Sequence, residues 1–157
     1  MKFKIIKDKE ILKKKCTDVV DIGSAMLVGK EMLVFLEKTT RGVGLAANQI
    51  GVDQGVCVIN VDKPIILINP KIIHSFKKII FQEECLSFPS ETVTTERYAN
   101  ITVVADNHDD PLYFSEKNLL EAVCVQHEID HLNGITMHDR KIDLDSEEKP
   151  AYNVSIL

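Results

Sequence analysis

Hydrophobic positions in the first third of the chain recur at the spacing of an α-helix. Between residues 24 and 39 the apolar side chains include Met26, Leu27, Met32, Leu33, Val34 and Leu36. Because this spacing places most of them on one side of a helix, the segment is predicted to be amphipathic and helical. Two glycines within residues 41–44 favour the end of the helix at that point.

The middle of the chain carries short runs of β-branched and aromatic residues. These runs cover residues 55–60, 65–69, 72–81, 92–95 and 101–105, with 112–115 as one further candidate. Valine, isoleucine, threonine and phenylalanine favour strands, and the proline, asparagine and aspartate residues at 61–64 and 107–111 favour turns. The region is therefore predicted to form several antiparallel strands.

A second helix is predicted over residues 117–132. Ser115 is its predicted N-cap, and Asn133 and Gly134 mark its predicted end. The order of helix, strands and helix favours an α+β fold over alternating βαβ units. Because the 157 residues contain no repeat or linker, one domain over residues 1–157 is expected.

Composition and charge are those of an ordinary globular protein. Hydrophobic residues make up 45% of the chain, charged residues 27%, and the formal net charge is −5. No apolar run is long enough to cross a bilayer, and the basic first segment lacks the apolar core of a secretory signal. A cytoplasmic protein with no membrane partner is expected. Specific nucleic-acid binding is not expected either, because no basic face exists beyond that first segment.

The strongest chemical signal is the sequence HEIDH at residues 127–131. Residues four apart share a face of a helix, so His127 and His131 can present both imidazoles to one metal ion. Glu128 is rotated by about 100° from His127, which brings its carboxylate near the ion without making it a ligand. Such an arrangement suits metal-assisted hydrolysis. The same short string also arises in proteins that bind no metal, so the motif alone leaves both readings open.

A catalytic site of this kind usually has three protein ligands and one open position. The third histidine of the metzincin pattern would fall at Met137, and His138 comes one residue late. A downstream glutamate would have to be one of the pair at 147 and 148, in a polar segment. A third source is Cys85, in the sequence EECLS upstream. The motif by itself does not choose among these sources.

Three segments together resemble the motifs of the peptide deformylase family. Residues 42–49, GVGLAANQ, resemble its GxGLAAxQ; residues 83–87, EECLS, resemble its EGCLS; and residues 127–131 resemble its HExxH. They occur in the family's order and at comparable spacing. The resemblance implies an α+β fold in which antiparallel β-sheets pack around a central metal-binding HExxH helix, with an N-terminal helix. It also implies a hydrolase that removes the formyl group from the N-terminal methionine of newly made polypeptides and releases formate.

The resemblance further implies a set of metal ligands. Cys85, His127 and His131 are expected to hold one divalent ion, and the chemistry agrees, since one thiolate and two imidazoles make a tetrahedral site with one position free. Fe(II) is the expected native metal, and zinc, nickel or cobalt suit the same donors.

Catalytic roles follow from the same resemblance. Glu128 is expected to accept a proton as water attacks and to donate one to the leaving amine. The side-chain amide of Gln49 and the backbone N–H of Leu86 are expected to stabilise the oxyanion. A zinc peptidase with the same HExxH core and a metal-retaining protein without activity are the alternatives. Cys85 argues against the first of these, and Gln49 with Glu128 against the second.

The methionine side chain of the substrate requires an apolar slot beside the metal. Core packing explains each candidate singly, but as a set the candidates are hypothesised to form the slot: Val43, Phe81, Leu120, Val123 and Cys124. The backbone of Gly44 is expected, by resemblance, to bind the substrate's main chain. The expected partners are N-formylmethionyl peptides and nascent chains.

The chain also departs from the family pattern. Glu84 stands where the family usually has glycine, and would be strained if that position required a left-handed backbone. The chain resembles the shortened, phage-like form without the long C-terminal helix, so contact with the ribosome, to which that helix contributes, is left open. Glu83 and Arg97 are hypothesised to form an ion pair that orients the Cys85 loop.

Overall fold

A computed structural model describes residues 2–144 and 155–157 of the chain. Its helices and strands, in chain order, are α1 (Lys9–Leu12), α2 (Ile22–Glu37), β1 (Gly44–Ala46), β2 (Val56–Asn60), β3 (Pro64–Ile68), β4 (Lys71–Cys85), β5 (Phe88–Val104), β6 (Leu112–Phe114), α3 (Leu119–Leu132) and β7 (Ser155–Ile156). Single turns of 3₁₀ helix lie at Ala47–Ile50, Glu116–Asn118 and Met137–Arg140.

The strands form two sheets. One contains β1, β2 and β3 in that order, with both pairs antiparallel. The other has the order β6, β5, β4, β7. In this second sheet the pairs β6–β5 and β5–β4 are antiparallel, whereas β4 and β7 are parallel. The predicted α+β class with antiparallel sheets is confirmed, and the parallel pair was not foreseen.

Helix α3 packs against strands of both sheets, namely β1, β2 and β5. Every residue from Ala122 to Leu132 is buried, so this helix carries the HEIDH sequence through the centre of the molecule. Helix α2 lies outside the three-stranded sheet and buries Met32 and Leu36 there, while Leu27 and Val34 remain exposed. None of the described helices combines the length and apolar character needed to cross a membrane.

The starts of both helices differ from the sequence prediction. Helix α2 begins at Ile22, two residues before the predicted start, because the Asp21 side chain accepts a hydrogen bond from the Ser24 N–H and caps it. Ser115 caps the 3₁₀ turn at Glu116–Asn118 rather than α3, so its prediction as the cap of the second helix was wrong. The side chain of Asn118 caps α3.

Strands β4 and β5 are longer than predicted. The predicted runs at 92–95 and 101–105 belong to one strand of 17 residues, β5, and the run at 72–81 extends to Cys85. Polar residues such as Glu83 and Arg97 interrupted the apolar pattern, but in the structure these two are buried and pair with each other. Because β4 continues to Cys85, that residue lies at the tight turn into β5.

Candidate metal centre

Three predicted ligands converge at the centre of the molecule, where the end of β4 meets α3. Cys85 comes from β4, and His127 and His131 come from α3. Their donor atoms lie within 4.8 Å of one another. Cys85 Sγ is 3.3 Å from His131 Nε2, which is 3.1 Å from His127 Nε2. All three side chains are buried.

These distances suit a single ion. Bonds of about 2.0–2.3 Å at tetrahedral angles separate the donor atoms by about 3.3–3.6 Å, close to the two measured separations. One cysteine sulfur and two imidazole nitrogens form a donor set that first-row divalent metals accept. The residues therefore fit a divalent metal ion.

Glu83 fixes the orientation of one imidazole. Its Oε1 lies 2.8 Å from His127 Nδ1, so an N–H at Nδ1 donates to the carboxylate and Nε2 is left to face Cys85 and His131. Burial alone would raise the pKa of Glu83, but the Arg97 guanidinium outweighs it and holds that pKa well below its usual range. Glu83 is therefore ionised and acts as an acceptor.

The hypothesised pair of Glu83 and Arg97 is present. Arg97 Nε and Nη2 donate to the two carboxylate oxygens of Glu83 at 2.6 and 2.8 Å, and Arg97 Nη1 donates to Asp130 at 2.6 Å. Arg140 contacts the same Asp130 at 3.0 and 2.9 Å. The arginine thus connects the strand that bears Cys85 with the helix that bears both histidines.

Sequence reasoning missed Asp130 and Arg140. Asp130 lies inside the HEIDH sequence and is only 7% exposed, although a charged residue is rarely buried without a partner. Its position between His127 and His131, inside the predicted metal-binding helix, was the available signal. The identity of its partners depends on tertiary contacts, because Arg97 is 33 positions away.

Glu128 lies beside the three donor residues and is fully buried. Neither of its carboxylate oxygens has a hydrogen-bond partner among the described residues. Burial raises its pKa to about 7. A buried carboxyl group without partners is costly, so this arrangement is one expected of a group that takes and gives protons.

Gln49 is held with its amide group toward Cys85. Its Oε1 accepts a hydrogen bond from the Ala46 N–H at 2.9 Å, which fixes the orientation of the amide. Nε2 then lies 3.5 Å from Cys85 Sγ and 3.2 Å from Ser87 Oγ. Leu86 is the first residue of the turn after Cys85, so its backbone belongs to the same corner of the site.

The five candidates for the apolar slot lie in one hydrophobic cluster. Phe81, Val123 and Cys124 are fully buried, and Val43 and Leu120 are partly buried against them. Gly44 adjoins this cluster, because a Cβ added to it would lie 2.6 Å from Cys124 Sγ. The slot candidates and the metal centre are therefore neighbours.

The other candidates for the third ligand were His138 and the glutamates at 147 and 148. The His138 ring packs on Phe88 and its Nε2 lies 3.2 Å from Glu91, outside the cluster of donor atoms. The glutamates at 147 and 148 lie outside the described residues.

The backbone at Glu84, where the family usually has glycine, is not strained. Glu84 is not among the described non-glycine residues with positive φ, so the left-handed conformation considered for it is absent.

Comparisons of the sequence with known proteins all give the same family. The family model described as polypeptide deformylase matches residues 2–148. The chain is similar to the peptide deformylase of Aquifex aeolicus, with 41% identity over 146 residues that cover 87% of this chain and 85% of that protein. It is also similar to peptide deformylase 2 of Vibrio cholerae, with 40% identity over 121 residues that cover 74% and 71% of the two chains.

Solved structures similar to this one belong to the same family. The peptide deformylase of Thermotoga maritima superposes with a TM-score of 0.78 at 29% identity, over 90% of this chain and 98% of that one. A probable peptide deformylase from Synechococcus phage S-SSM7 superposes with a TM-score of 0.75 at 31% identity, over 88% and 98%.

Proposed function

The chain belongs to the polypeptide deformylase family, a family of metal-dependent hydrolases, and on that premise we propose which of its residues carry out the reaction. The activity is removal of the N-formyl group from newly made polypeptides. Water adds to the formyl carbon and the carbon–nitrogen bond breaks. The products are formate and a methionine with a free amine. The observation that carries the assignment is the convergence of Cys85, His127 and His131 beside an unpartnered Glu128.

Cys85, His127 and His131 would hold the metal ion. When bound, a divalent ion polarises the formyl oxygen and lowers the pKa of water, which makes hydroxide available near neutral pH. The proposed native metal is Fe(II), in line with the family resemblance, and zinc, nickel and cobalt suit the same donors. Glu83 supports the site from outside, because its contact with His127 Nδ1 holds the ring with Nε2 inward.

Glu128 is proposed to move the proton. Its pKa of about 7 allows it to be ionised before the reaction and to accept a proton from the attacking water. The protonated carboxyl then donates that proton to the nitrogen as the carbon–nitrogen bond breaks. Burial keeps bulk water from this transfer, since Glu128 has no exposed surface.

The oxyanion is proposed to receive hydrogen bonds from Gln49 Nε2 and the backbone N–H of Leu86. The bond from the Ala46 N–H to Gln49 Oε1 fixes the amide before substrate arrives, so little reorganisation is needed during the reaction. Both donors lie next to Cys85, Gln49 through its amide and Leu86 through the chain.

The methionine side chain is proposed to enter the slot formed by Val43, Phe81, Leu120, Val123 and Cys124. The main chain of the substrate would lie along Gly44, whose missing side chain permits a close approach of backbone to ligand. N-formylmethionyl nascent chains are thus the proposed partners. We also propose that residues 1–157 form one catalytic domain, which the match over residues 2–148 supports, and that it acts in the cytoplasm, where chains are made.

The test is an anaerobic assay of the Fe(II)-loaded protein on formyl-Met-Ala-Ser. Formate release is expected, and Glu128→Gln is expected to lower kcat by about 10²–10⁴-fold with metal content unchanged, because only the proton carrier is lost. Glu121→Gln is the matched control, since Glu121 is a partly exposed glutamate on the same helix. Cleavage of a peptide bond would identify a peptidase instead, and metal retention without either product would contradict an enzymatic role.

A further inference from the structure

The edge of β4 beside Cys85 is covered by residues 155–157. Ser155 pairs with Glu83 and Ile156 with Glu84 in the parallel pair of β4 and β7. The Leu157 N–H then donates to the Glu84 carbonyl oxygen at 2.8 Å. A short segment from far along the chain therefore adds a strand to the sheet where the ligand-bearing strand ends.

The side chain of Leu157 lies on the same side of the sheet as the metal centre. Residues paired across parallel strands point their side chains to the same face. The register that pairs Ile156 with Glu84 brings the next residue, Leu157, level with Cys85. Leu157 is fully buried. It belongs to the hydrophobic cluster of Phe81, Val123 and Cys124, whereas Cys85 belongs to a different cluster with Phe88.

The apolar slot is closed in this arrangement. Its members Phe81, Val123 and Cys124 have no exposed surface, so a methionine side chain from outside cannot reach them as they stand. Leucine and methionine have similar volumes and replace each other in protein interiors at small cost. A site that accepts one of these side chains therefore accepts the other.

We propose that residues 155–157 occupy the place of the substrate peptide, with the Leu157 side chain in the slot that the substrate methionine requires. This inference rests on the proposed function of that slot. An extended peptide commonly binds by adding a strand to a free sheet edge and placing a side chain in an adjacent pocket, and β7 with Leu157 does both. The segment is a built-in competitor that must leave before the formylated chain binds.

A built-in competitor has a defined kinetic effect. Only the fraction of molecules with the segment displaced binds substrate, so KM rises by the inverse of that fraction. At saturating substrate the segment stays displaced, and kcat does not change. Because the competitor belongs to the same chain, the effect does not depend on protein concentration.

The test uses Leu157→Asp and the milder Leu157→Ala in the full-length, Fe(II)-loaded protein with formyl-Met-Ala-Ser as substrate. We expect Leu157→Asp to lower KM by at least about tenfold, because the burial of one leucine side chain is lost, with kcat and metal content unchanged. Leu27→Asp is the matched control, since Leu27 is a leucine on α2 that is 63% exposed. A synthetic peptide of residues 153–157 is expected to inhibit Leu157→Asp competitively, and the same peptide with aspartate in place of leucine is not.

Either of two results, one kinetic and one calorimetric, would overturn the proposal. The kinetic result is an unchanged or higher KM in both Leu157 variants, together with a lower melting temperature, which would make Leu157 an ordinary core residue. If wild type and variants all bind metal and release no formate, the proposed function fails instead. Calorimetric titration of Leu157→Asp with the 153–157 peptide then decides this inference: binding supports it and absence of binding overturns it.

Discussion

Gly44 brings the backbone of β1 against the side chains of Cys124 and Glu128. A Cβ at this position would lie 2.6 Å from Cys124 Sγ and 2.7 Å from Glu128 Oε1, both far inside van der Waals contact. Its φ is not in the left-handed region, so the requirement for glycine is one of space and not of backbone angle. The position of Glu128 therefore depends on the absence of one carbon atom from its neighbour.

We accordingly predict that Gly44→Ala lowers kcat/KM by about 100-fold, because a displacement of Glu128 by about 1 Å spoils the geometry of the proton transfer proposed for it. Formate release by the metal-loaded variant measures this effect. Gly23→Ala is the control, since a Cβ there meets its nearest neighbour at 3.4 Å and alanine favours the helix. A Gly44→Ala variant with a rate within twofold of wild type would show that the site has more freedom than described.

Arg97 holds two buried carboxylates at once, those of Glu83 and Asp130. We predict that Arg97→Ala destabilises the fold by about 3–5 kcal/mol, since it leaves buried charge unpaired, and weakens metal affinity by about 10–100-fold through the released His127 ring. Denaturant unfolding and competition with a chelating dye provide the two measurements.

Two further variants calibrate the loss of Arg97. Arg97→Lys keeps the charge without the planar fork and should lie between wild type and alanine. Arg140→Ala should cost less, because the Arg140 side chain is 45% exposed and Asp130 keeps Arg97. Unchanged metal affinity in Arg97→Ala would remove its role in orienting the site.

The sequence predicted the residues of the motifs but only some of the contacts between them. Cys85, His127 and His131 were expected to meet, and the structure brings them together. The contact of Glu83 with His127 was not expected, because it joins residues 44 positions apart on different elements. Short-range spacing describes one helix or one strand, whereas this contact depends on how β4 and α3 pack.

At the scale of elements, the long hairpin of β4 and β5 was harder to predict than the helices. Helical periodicity is visible over many residues, and both α2 and α3 were found close to their predicted bounds. In β4 and β5, buried charges at Glu83 and Arg97 broke the apolar alternation on which strand prediction depends. Strand β1, with only three residues, gave no pattern of its own.

The end of α3 depends on Gly134, which has a left-handed backbone with φ 73°. A Cβ there would overlap the Lys13 carbonyl oxygen, in the segment that also bonds to α3 through Cys16 N–H and Leu132 O at 2.8 Å. We predict that Gly134→Ala costs about 2–5 kcal/mol, as the sum of backbone strain and overlap.

Gly51→Ala measures the cost of backbone strain alone, without steric overlap. Gly51 has φ 78°, yet the nearest atom to an added Cβ is 3.8 Å away, so only the backbone term of about 1–2 kcal/mol applies. Denaturant unfolding of the two variants gives the comparison. Equal losses of unfolding free energy in Gly134→Ala and Gly51→Ala would show that the Lys13 segment moves away from the added Cβ without destabilising the fold.

At the scale of the whole molecule, the candidate metal centre joins parts of the chain that are distant in sequence. Cys85 and His131 are 46 positions apart, and α3 lies against both sheets. The fold class and the central helix followed from the sequence, because each rests on patterns that one segment carries. The placement of residues 155–157 against β4 did not, since a strand of two residues has no periodicity and its partner is set by the rest of the fold.

The coordination shell of the bound metal tests the central claim most directly. X-ray absorption at the metal edge of the Fe(II)-loaded protein should show one sulfur neighbour at about 2.3 Å and two imidazole nitrogens at about 2.0–2.2 Å. Cys85→Ser should remove the sulfur signal and leave both imidazoles. A first shell without sulfur in the wild type, or one that keeps its sulfur in Cys85→Ser, would contradict the assignment of Cys85, His127 and His131 as the metal ligands.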